Sequence, residues 1–563
     1  MAQLVQSAVD KVFKTDTEGP TAVGTEPEPW PSEEDSARLA VYERNRLLYE
    51  GKHEEVFVDS GDYNFETPEG MDYLTINLIG ARTDVIVGRM FGEPAVITFP
   101  PEFQPTSDYI QHVIKTNGLH AQHSEAATGC SIRGDAVFKV AYDPDRWLVR
   151  VYALDPTMYF PEYSDIDPTH RIAVNLDRVL YDTDEEETAY VYRERYEMRL
   201  TDATVDAMES TVGLQQPIEE ECWVTNQLFL LEEDTGNPGT GKVNFNEPLS
   251  VSHLEATAQL DAEFNTQLSR IPIVHIKNRV IDREDNWGLN DVDELISING
   301  QINWRHLQRA KVLDEFVEPF VFGPPMSEES EDGTDEGQTV KLGNHRYIEV
   351  ETPHGAPAAA PIGTIEWDAN LTSVVEAIRE LTEKFAIVGR IDMEVLLQSG
   401  VTGAMSGFAL RLRQLKTQIT VLQRTTVWSA GLSELYSVIT EVAAVDGRQL
   451  IWTRDNLNAI THVSSEDITV RFGDGLPRNI LEELQEETIK LQHGLQTRLK
   501  AVMRLEEIDE ESAQQLVDAA TLETQLAHPS DLGPFNFGDE EDEAIGTTLG
   551  QTPAAFQESQ SGP

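Results

Sequence analysis

The sequence predicts an α+β protein built from roughly two to four lobes, and three observations carry that expectation. At 563 residues the chain exceeds what one compact core holds. Its first half passes from helical to strand-like periodicity, helices first and sheets after. Its second half holds long amphipathic helical runs that frame a short Gly/Pro/acid-rich insert, followed by a helical C-terminal lobe.

Residues 1–31 are polar and carry Pro and Glu (TEGPTAVGTEPEPWP), which predicts a loose arm. Ser32 with Glu33 and Glu34 is an N-terminal helix signal; Leu39, Tyr42, Leu47 and Leu48 follow at helical spacing until Gly51. Met71 to Gly88 predicts a second helix, which Phe91-Gly92-Glu93-Pro94 turns into the strand AVITF. Residues 106–131 predict two helices broken at Asn117-Gly118. Alternation from Asp135 to Tyr152 predicts a β-hairpin around Asp143-Pro144-Asp145-Arg146, continued as edge-type strand through Tyr159-Phe160-Pro161. Runs at 172–200 and 221–233 add further strands.

The segment Gly236–Lys242 (GNPGTGK) matches the spacing of a phosphate-binding loop. That loop needs a Ser or Thr after the Lys to hold Mg²⁺, and a helix whose N-terminus faces the phosphates. Val243 follows instead, and VNFNEPLSV reads as extended. A Gly/Pro hairpin turn is the preferred reading, with a nucleotide-binding enzyme as the weaker alternative.

From Arg270 the pattern changes. IPIVHIKN is a short buried strand, 279–285 a polar loop, and Trp287-Gly288-Leu289-Asn290 leads into a helix. Its apolar positions Val292, Leu295, Ile296, Ile302, Leu307, Ala310 and Leu313 keep a three- to four-residue spacing; from Asp291 to Glu315 it would span ~37 Å. Glu318-Pro319 stops it. Phe320 to Trp367 is a small β-rich insert with too few apolar residues to hold a core alone, so it requires copies of itself or a partner. Asp368 to Ala386 predicts a second helix with Leu371, Val374, Val375, Ile378, Leu381 and Phe385 on one face. Gly389 to Met405 breaks it. Ser406 to Val442 predicts a third, unusually long helix with Phe408, Leu412, Leu415, Ile419 and Leu422 in phase. Short strands are expected at 451–453 and 468–472; Asp474-Gly475-Leu476-Pro477 opens the helical C-terminal lobe, and the chain after His528 reads as disordered.

Charge is the outlier. Asp and Glu total 99 against 43 Lys and Arg, a formal −56, and only 13 of the cations are Lys. Broad phosphate neutralisation is excluded for such a surface. Scarce Lys favours adaptation to molar salt, where self-repulsion is screened within ~3 Å, over an acidic protein from an ordinary cell. No apolar run reaches the ~18 residues a bilayer span needs, so no membrane partner is expected. The first residues lack an apolar secretory h-region, and Cys130 and Cys222 form neither metal spacing nor a disulfide framework, which favours a reduced intracellular setting.

No catalytic constellation, cofactor site or metal site is expected. The histidines are scattered, HExxH is absent, and Gly403-Ala404-Met405-Ser406-Gly407 has the wrong spacing for a nucleophile elbow. Clustered acids such as Glu185-Glu186-Glu187 read as solvated loops. Arg305, Arg309 and Lys311 on the first long helix, and Arg411, Arg413 and Lys416 on the third, form basic patches suited to intersubunit ion pairs.

The order of these elements resembles that of portal proteins, the head–tail connectors of tailed double-stranded DNA viruses, in the family common in siphophages. The residues that carry the likeness are Tyr49-Glu50-Gly51 with Tyr73-Leu74 and Asn77, the turn Gly92-Glu93-Pro94, Gly134-Asp135-Ala136, and Leu154-Asp155-Pro156. Further on come Ile271-Pro272-Ile273-Val274 with Asn278, Gly288 to Leu295, Ser406-Gly407-Phe408-Ala409-Leu410-Arg411, and Phe472-Gly473-Asp474-Gly475-Leu476-Pro477. The family's glycine-serine step departs to Gly494-Leu495-Gln496-Thr497 here.

The resemblance implies a non-enzymatic ring of twelve subunits at one capsid vertex, through which DNA is packaged and ejected; the acidity points to a virus of a halophilic host. It implies a flexible arm (1–31), a wing (32–286), a first stem helix (287–319), a clip (320–367), a second stem helix (368–388), a tunnel loop (389–405), a long wing helix with return strands (406–473), a crown (474–527) and an acidic tail (528–563). Arg390, Asp392, Gln398, Ser399, Thr402 and Gly403 become tunnel-loop candidates. Phe320, Phe322, Lys341, His345, Arg346 and Tyr347 become clip docking candidates, and Arg305, Arg309, Lys311 and Arg379 stem intersubunit candidates. Implied partners are the major capsid protein, the terminase large subunit, the head–tail adaptor and duplex DNA bound without sequence specificity. A ring-forming scaffold without a DNA channel is the alternative.

Overall fold

A computed structural model describes residues 27–527 apart from 60–71, 165, 183–187, 202–203, 205–218, 235–236, 283–284, 318–320, 324–346, 350–362, 365–370, 398–411, 453–459, 474–479 and 507–509. The expected acidic tail therefore lies outside the described residues. The chain divides into two compact units, one ending at Leu476 and the other beginning at Pro477.

The first unit opens with β1 (Glu28–Trp30), α1 (Glu33–Glu50), α2 (Leu78–Phe91), β2 (Val96–Thr98), α3 (Gln104–Asn117) and α4 (Leu119–Arg133). A run of strands follows: β3 (Asp135–Asp143), β4 (Leu148–Leu154), β5 (Tyr159–Tyr163), β6 (Arg171–Tyr181), β7 (Ala189–Leu200) and β8 (Glu220–Asp234). Next come β9 (Asn237–Val243), β10 (Glu263–Asn265), β11 (Ile273–Lys277) and α5 (Ile296–Val317). The insert contributes β12 (Val321–Gly323), β13 (Tyr347–Glu349) and β14 (Gly363–Thr364). The unit closes with α6 (Leu371–Val388), the short α7 (Met393–Leu396), α8 (Leu415–Ala444) and β15 (Thr469–Arg471).

Local signals set the boundaries. The Ser32 hydroxyl caps α1 by accepting the Asp35 amide at 3.1 Å, with Glu33, Glu34 and Asp35 complementing the helix dipole. Gly118, at φ 62°, lets α3 end and α4 begin without a linker. The second helix starts at Leu78, not Met71, because Asn77 is its cap: the Asn77 Oδ1 accepts the Gly80 amide at 2.8 Å. The apolar residues before it, Tyr73 and Ile76, pack as extended chain instead.

Six strands order as β1-β9-β8-β7-β6-β5 in an antiparallel sheet, with β10 added on β8. Its β1 corrects the expected arm. Trp30 is buried against Val191, Phe229 and Val243, and its indole donates to Asp177 at 3.1 Å, so order begins before Ser32. A second sheet, β11-β3-β4, shares one core with α2, α3, α4, α8 and β15, centred on Phe138, Tyr109, Trp428 and Tyr436. A smaller core holds the ends of α1 and α2 against α5, α6 and α7 through Leu48, Phe57, Ile302, Leu307 and Phe385. The insert is β-structured as expected, β12 pairing parallel with β13 and antiparallel with β14.

Three further expectations are corrected. The first long helix begins at Ile296 after a 3₁₀ turn at Asp293–Leu295, and Leu313 is exposed. Val375 on α6 also faces solvent. Ile451 and Trp452 are helical, not strand, with the Ile451 amide donating to the Trp147 carbonyl at 2.9 Å. In the second unit, α9 (Ile480–Gln492), α10 (Arg498–Glu506) and α11 (Glu510–Ala527) form the expected helical lobe.

Two backbones cross where β3 meets the approach to α5. Gly134 sits at φ 106°, and a Cβ on Gly288 would lie 2.1 Å from the Gly134 carbonyl oxygen. No L side chain fits there. We expect Gly288→Ala to lower stability by about 2–4 kcal/mol in denaturant unfolding; an unchanged midpoint would show that the crossing tolerates a methyl group.

Candidate channel and interface site

The two ends of the helix–insert–helix unit meet at one buried carboxylate. Asp291 precedes α5, and its oxygens accept an ion pair from Arg424 of α8 and another from Arg82 of α2 at 3.2 Å. The Ser131 hydroxyl of α4 donates to it at 2.9 Å. Arg82 also donates through Nε to the carbonyl of Gly389, just after α6, at 2.9 Å, and Arg424 donates to the Asn278 carbonyl at 2.7 Å. One cluster therefore ties the start of α5, the end of α6, β11, α4 and α8. Burial alone would raise the Asp291 pKa, but the two guanidiniums outweigh it and hold the carboxyl below its usual range.

A second polar cluster fixes the rest of α5. Asn303 and Asn299 bond the amide and carbonyl of Ile76 at 3.0 and 3.1 Å, and Asn303 donates to His53 Nδ1 at 2.8 Å. His53 Nε2 donates to the Leu48 carbonyl at 2.9 Å. That arrangement requires a neutral imidazole, and burial lowers the His53 pKa accordingly. A third cluster centres on Asp135, which accepts from Tyr42 at 2.6 Å, His275 at 2.8 Å and the Gly288 amide at 2.8 Å. The His275 pKa is lowered by burial as well.

The tunnel-loop candidates divide. Arg390, at φ 53°, reaches Glu294 at 3.1 Å, and its carbonyl accepts from Thr420 at 2.8 Å. Asp392 accepts from both the amide and hydroxyl of Thr417 at 2.9 Å, so its carboxylate is engaged with α8. Gln398, Ser399, Thr402 and Gly403 lie outside the described residues, as do Phe320, Lys341, His345 and Arg346. Phe322 and Tyr347 stand on β12 and β13, where Phe322 pairs with Ile348 and Tyr347 with Val321. On α5, Arg305 is exposed and donates to Gln308, Lys311 is exposed, and the enclosed Nε of Arg309 has no partner among the described residues. Arg379 on α6 is exposed and pairs with Glu383 at 3.1 Å.

The chemistry of these clusters is structural. Asn237–Val243 is a strand between β8 and β1 with no helix after it, and the Gly239 amide donates to the Glu233 carboxylate at 2.7 Å. A carboxylate occupying that amide is incompatible with a phosphate cradle. Both cysteines are buried, Cys222 with a pKa pushed up to about 12, so neither offers a thiolate. Among the described residues no group of three His, Cys, Asp or Glu could hold a metal, and no helix is long and apolar enough to cross a membrane.

A family model described as phage portal protein, SPP1 Gp6-like, matches residues 32–523. The chain belongs to that family. Portal proteins of this kind are structural components of the phage capsid with a role in DNA packaging. A search of curated proteins gave no match. The sequence marked the two helices and the segment after them but not Asp291, where their ends meet, because one acid among 99 carries no mark of burial.

Asp291→Asn would leave two buried guanidiniums facing a neutral amide. We expect a loss of about 3–5 kcal/mol in chemical unfolding, and a loss under 1 kcal/mol would show that the cluster does not anchor α5 and α6. For the native chain, Asp291 has a depressed folded pKa; its contribution is complete above ~4 and is lost as the pH falls further. His53 and His275 are also depressed, so their contribution is complete above ~6.5 and erodes below it, by on the order of 1 kcal/mol per pH unit for each. Unfolding midpoints measured from pH 7.5 to 4.5 should therefore decline; a flat profile would show that both imidazoles charge freely.

Proposed function

We propose that copies of this portal protein close into a ring, of twelve subunits in the virion, that forms the channel for packaging and ejecting double-stranded DNA at one capsid vertex. In this reading α5 and α6 are the stem and 320–367, with its β12–β14 sheet, is the clip that docks the terminase large subunit and later the head–tail adaptor. The loop 389–405 lines the channel through Gln398, Ser399, Thr402 and Gly403. The α+β body meets the major capsid protein, and the helical unit from Pro477 faces the packaged genome.

One observation carries this reading. The helix–insert–helix unit is anchored at both ends to the Asp291 cluster, yet its helices keep Leu313, Val375 and Ile387 exposed at 38%, 43% and 63%. A rigidly held hairpin with uncovered apolar positions fits a heterologous contact repeated around a ring. The −56 charge supports passage of DNA without retention, since each retained phosphate contact adds affinity. The stem cations Arg305, Arg309, Lys311 and Arg379 are placed in this reading at subunit contacts.

Low Lys content beside 99 acids supports a halophilic host, in which molar salt screens repulsion between subunits. Negative-stain imaging in molar salt tests both points. Rings with a central hole of about duplex width are expected, fewer with Arg309→Glu, and dissociating on dialysis to ~0.1 M salt. A compact monomer in molar salt would overturn the ring, and rings equally intact at low salt would overturn the halophile assignment.

A further inference from the structure

The start of α8 and the turn before it present an apolar face outward. Leu412, Leu415, Ile419 and Leu422 recur at three- and four-residue spacing, and they are 63%, 48%, 48% and 66% exposed. These are the residues whose periodicity in the sequence marks a buried stripe, but the stripe that enters the core is Val421, Trp428, Leu432 and Leu435. Alternating spacings of three and four are those of a seam that receives another helix. Beside the seam, Val470 and Phe472 complete an open groove of about 800 Å³.

Charge sets the same face apart. Asp and Glu make up 99 of 563 residues, yet none lies in 395–433, which carries Arg411, Arg413, Lys416 and Arg424. Arg424 is engaged by Asp291 and Arg413 by Glu394, while Lys416 and the groove residue Arg471 are exposed. The complement is an apolar helix face flanked by acids. A duplex backbone would use the cations but leave four aliphatic side chains wet. On α6 the exposed Val375 and Ile387 stand beside exposed Glu376, Glu380 and Glu383, the last two paired with Lys384 and Arg379 of the same helix, and α6 packs on α5 with Phe385 in their shared core.

Resting on the ring reading above, we infer that the outer face of α8 seats the acid-bearing face of α6 from a second copy of the chain. Apolar contact supplies the association, and the acid-free stretch removes the repulsion that two chains of −56 would otherwise meet at the seam. The contact is heterologous, two different helices meeting, which is the kind that propagates around a ring.

The test uses the full chain with a benzophenone amino acid at Ile419, mixed with an isotope-labelled copy and irradiated. Cross-links from position 419 of one copy to 371–388 of the other are expected. Cross-links confined to one copy, or formed only to added duplex, overturn the inference. Rings without cross-links between copies overturn the seam alone; cross-links between copies in an assembly lacking a central hole support the seam and overturn the ring; no assembly overturns both. Lys416→Glu, at an exposed position, should weaken assembly about tenfold with an unchanged melting transition, whereas Lys416→Arg should not. Undiminished assembly of Lys416→Glu overturns the charge argument.

Discussion

The buried Asp291 carboxylate, held between Arg82 and Arg424, is the constraint on which the rest of the arrangement depends. A carboxylate with its side chain 1% exposed is tolerated only where cations and donors surround it, and here they come from three separate helices. Such a cluster contributes less to stability than an apolar core of similar volume would. What it does is reject alternatives, because a shift in α5, α8 or the Gly389 turn strands a charge. The helix–insert–helix unit thus leaves the body in one fixed direction.

Around that anchor the protein separates its charges. The chain as a whole carries −56, but Ile296–Leu313 and 395–433 contain no acid at all. Those two stretches cover most of α5 and the first half of α8, with the residues between α7 and α8. Segregation on this scale concentrates self-repulsion elsewhere and leaves these two stretches without it. Two of the cations in 395–433, Arg413 and Arg424, are themselves paired within the chain.

Much of the fold was legible because the signals were local. Ser32 and Gly51 bound α1, the α3–α4 break falls at Gly118, and alternation in 135–152 gives the β3–β4 hairpin. Misreadings arose where tertiary partners decided. Met71–Asn77 looks helical in composition, but Asn299 and Asn303 bond the Ile76 backbone and hold it extended. Trp30 reads as part of a polar arm until Asp177 and Val191, far along the chain, bury it. In the site, Arg390 and Asp392 were picked out, yet their partners Glu294 and Thr417 were not, since neither pairing follows a local spacing.

The sequence by itself determined the α+β class, the helical and strand segments and, through the order of loosely matched motifs, the portal family. These are properties of neighbouring residues and of their succession, which periodicity, caps and turns report directly. Only the tertiary structure decided which face of a helix is buried. On α8 the more conspicuous apolar stripe is outside and the core takes Val421, Trp428 and Leu432. Periodicity defines a face but is silent on what that face meets. In the same way composition counts 99 acids, while only packing shows that Asp291 is buried between two arginines.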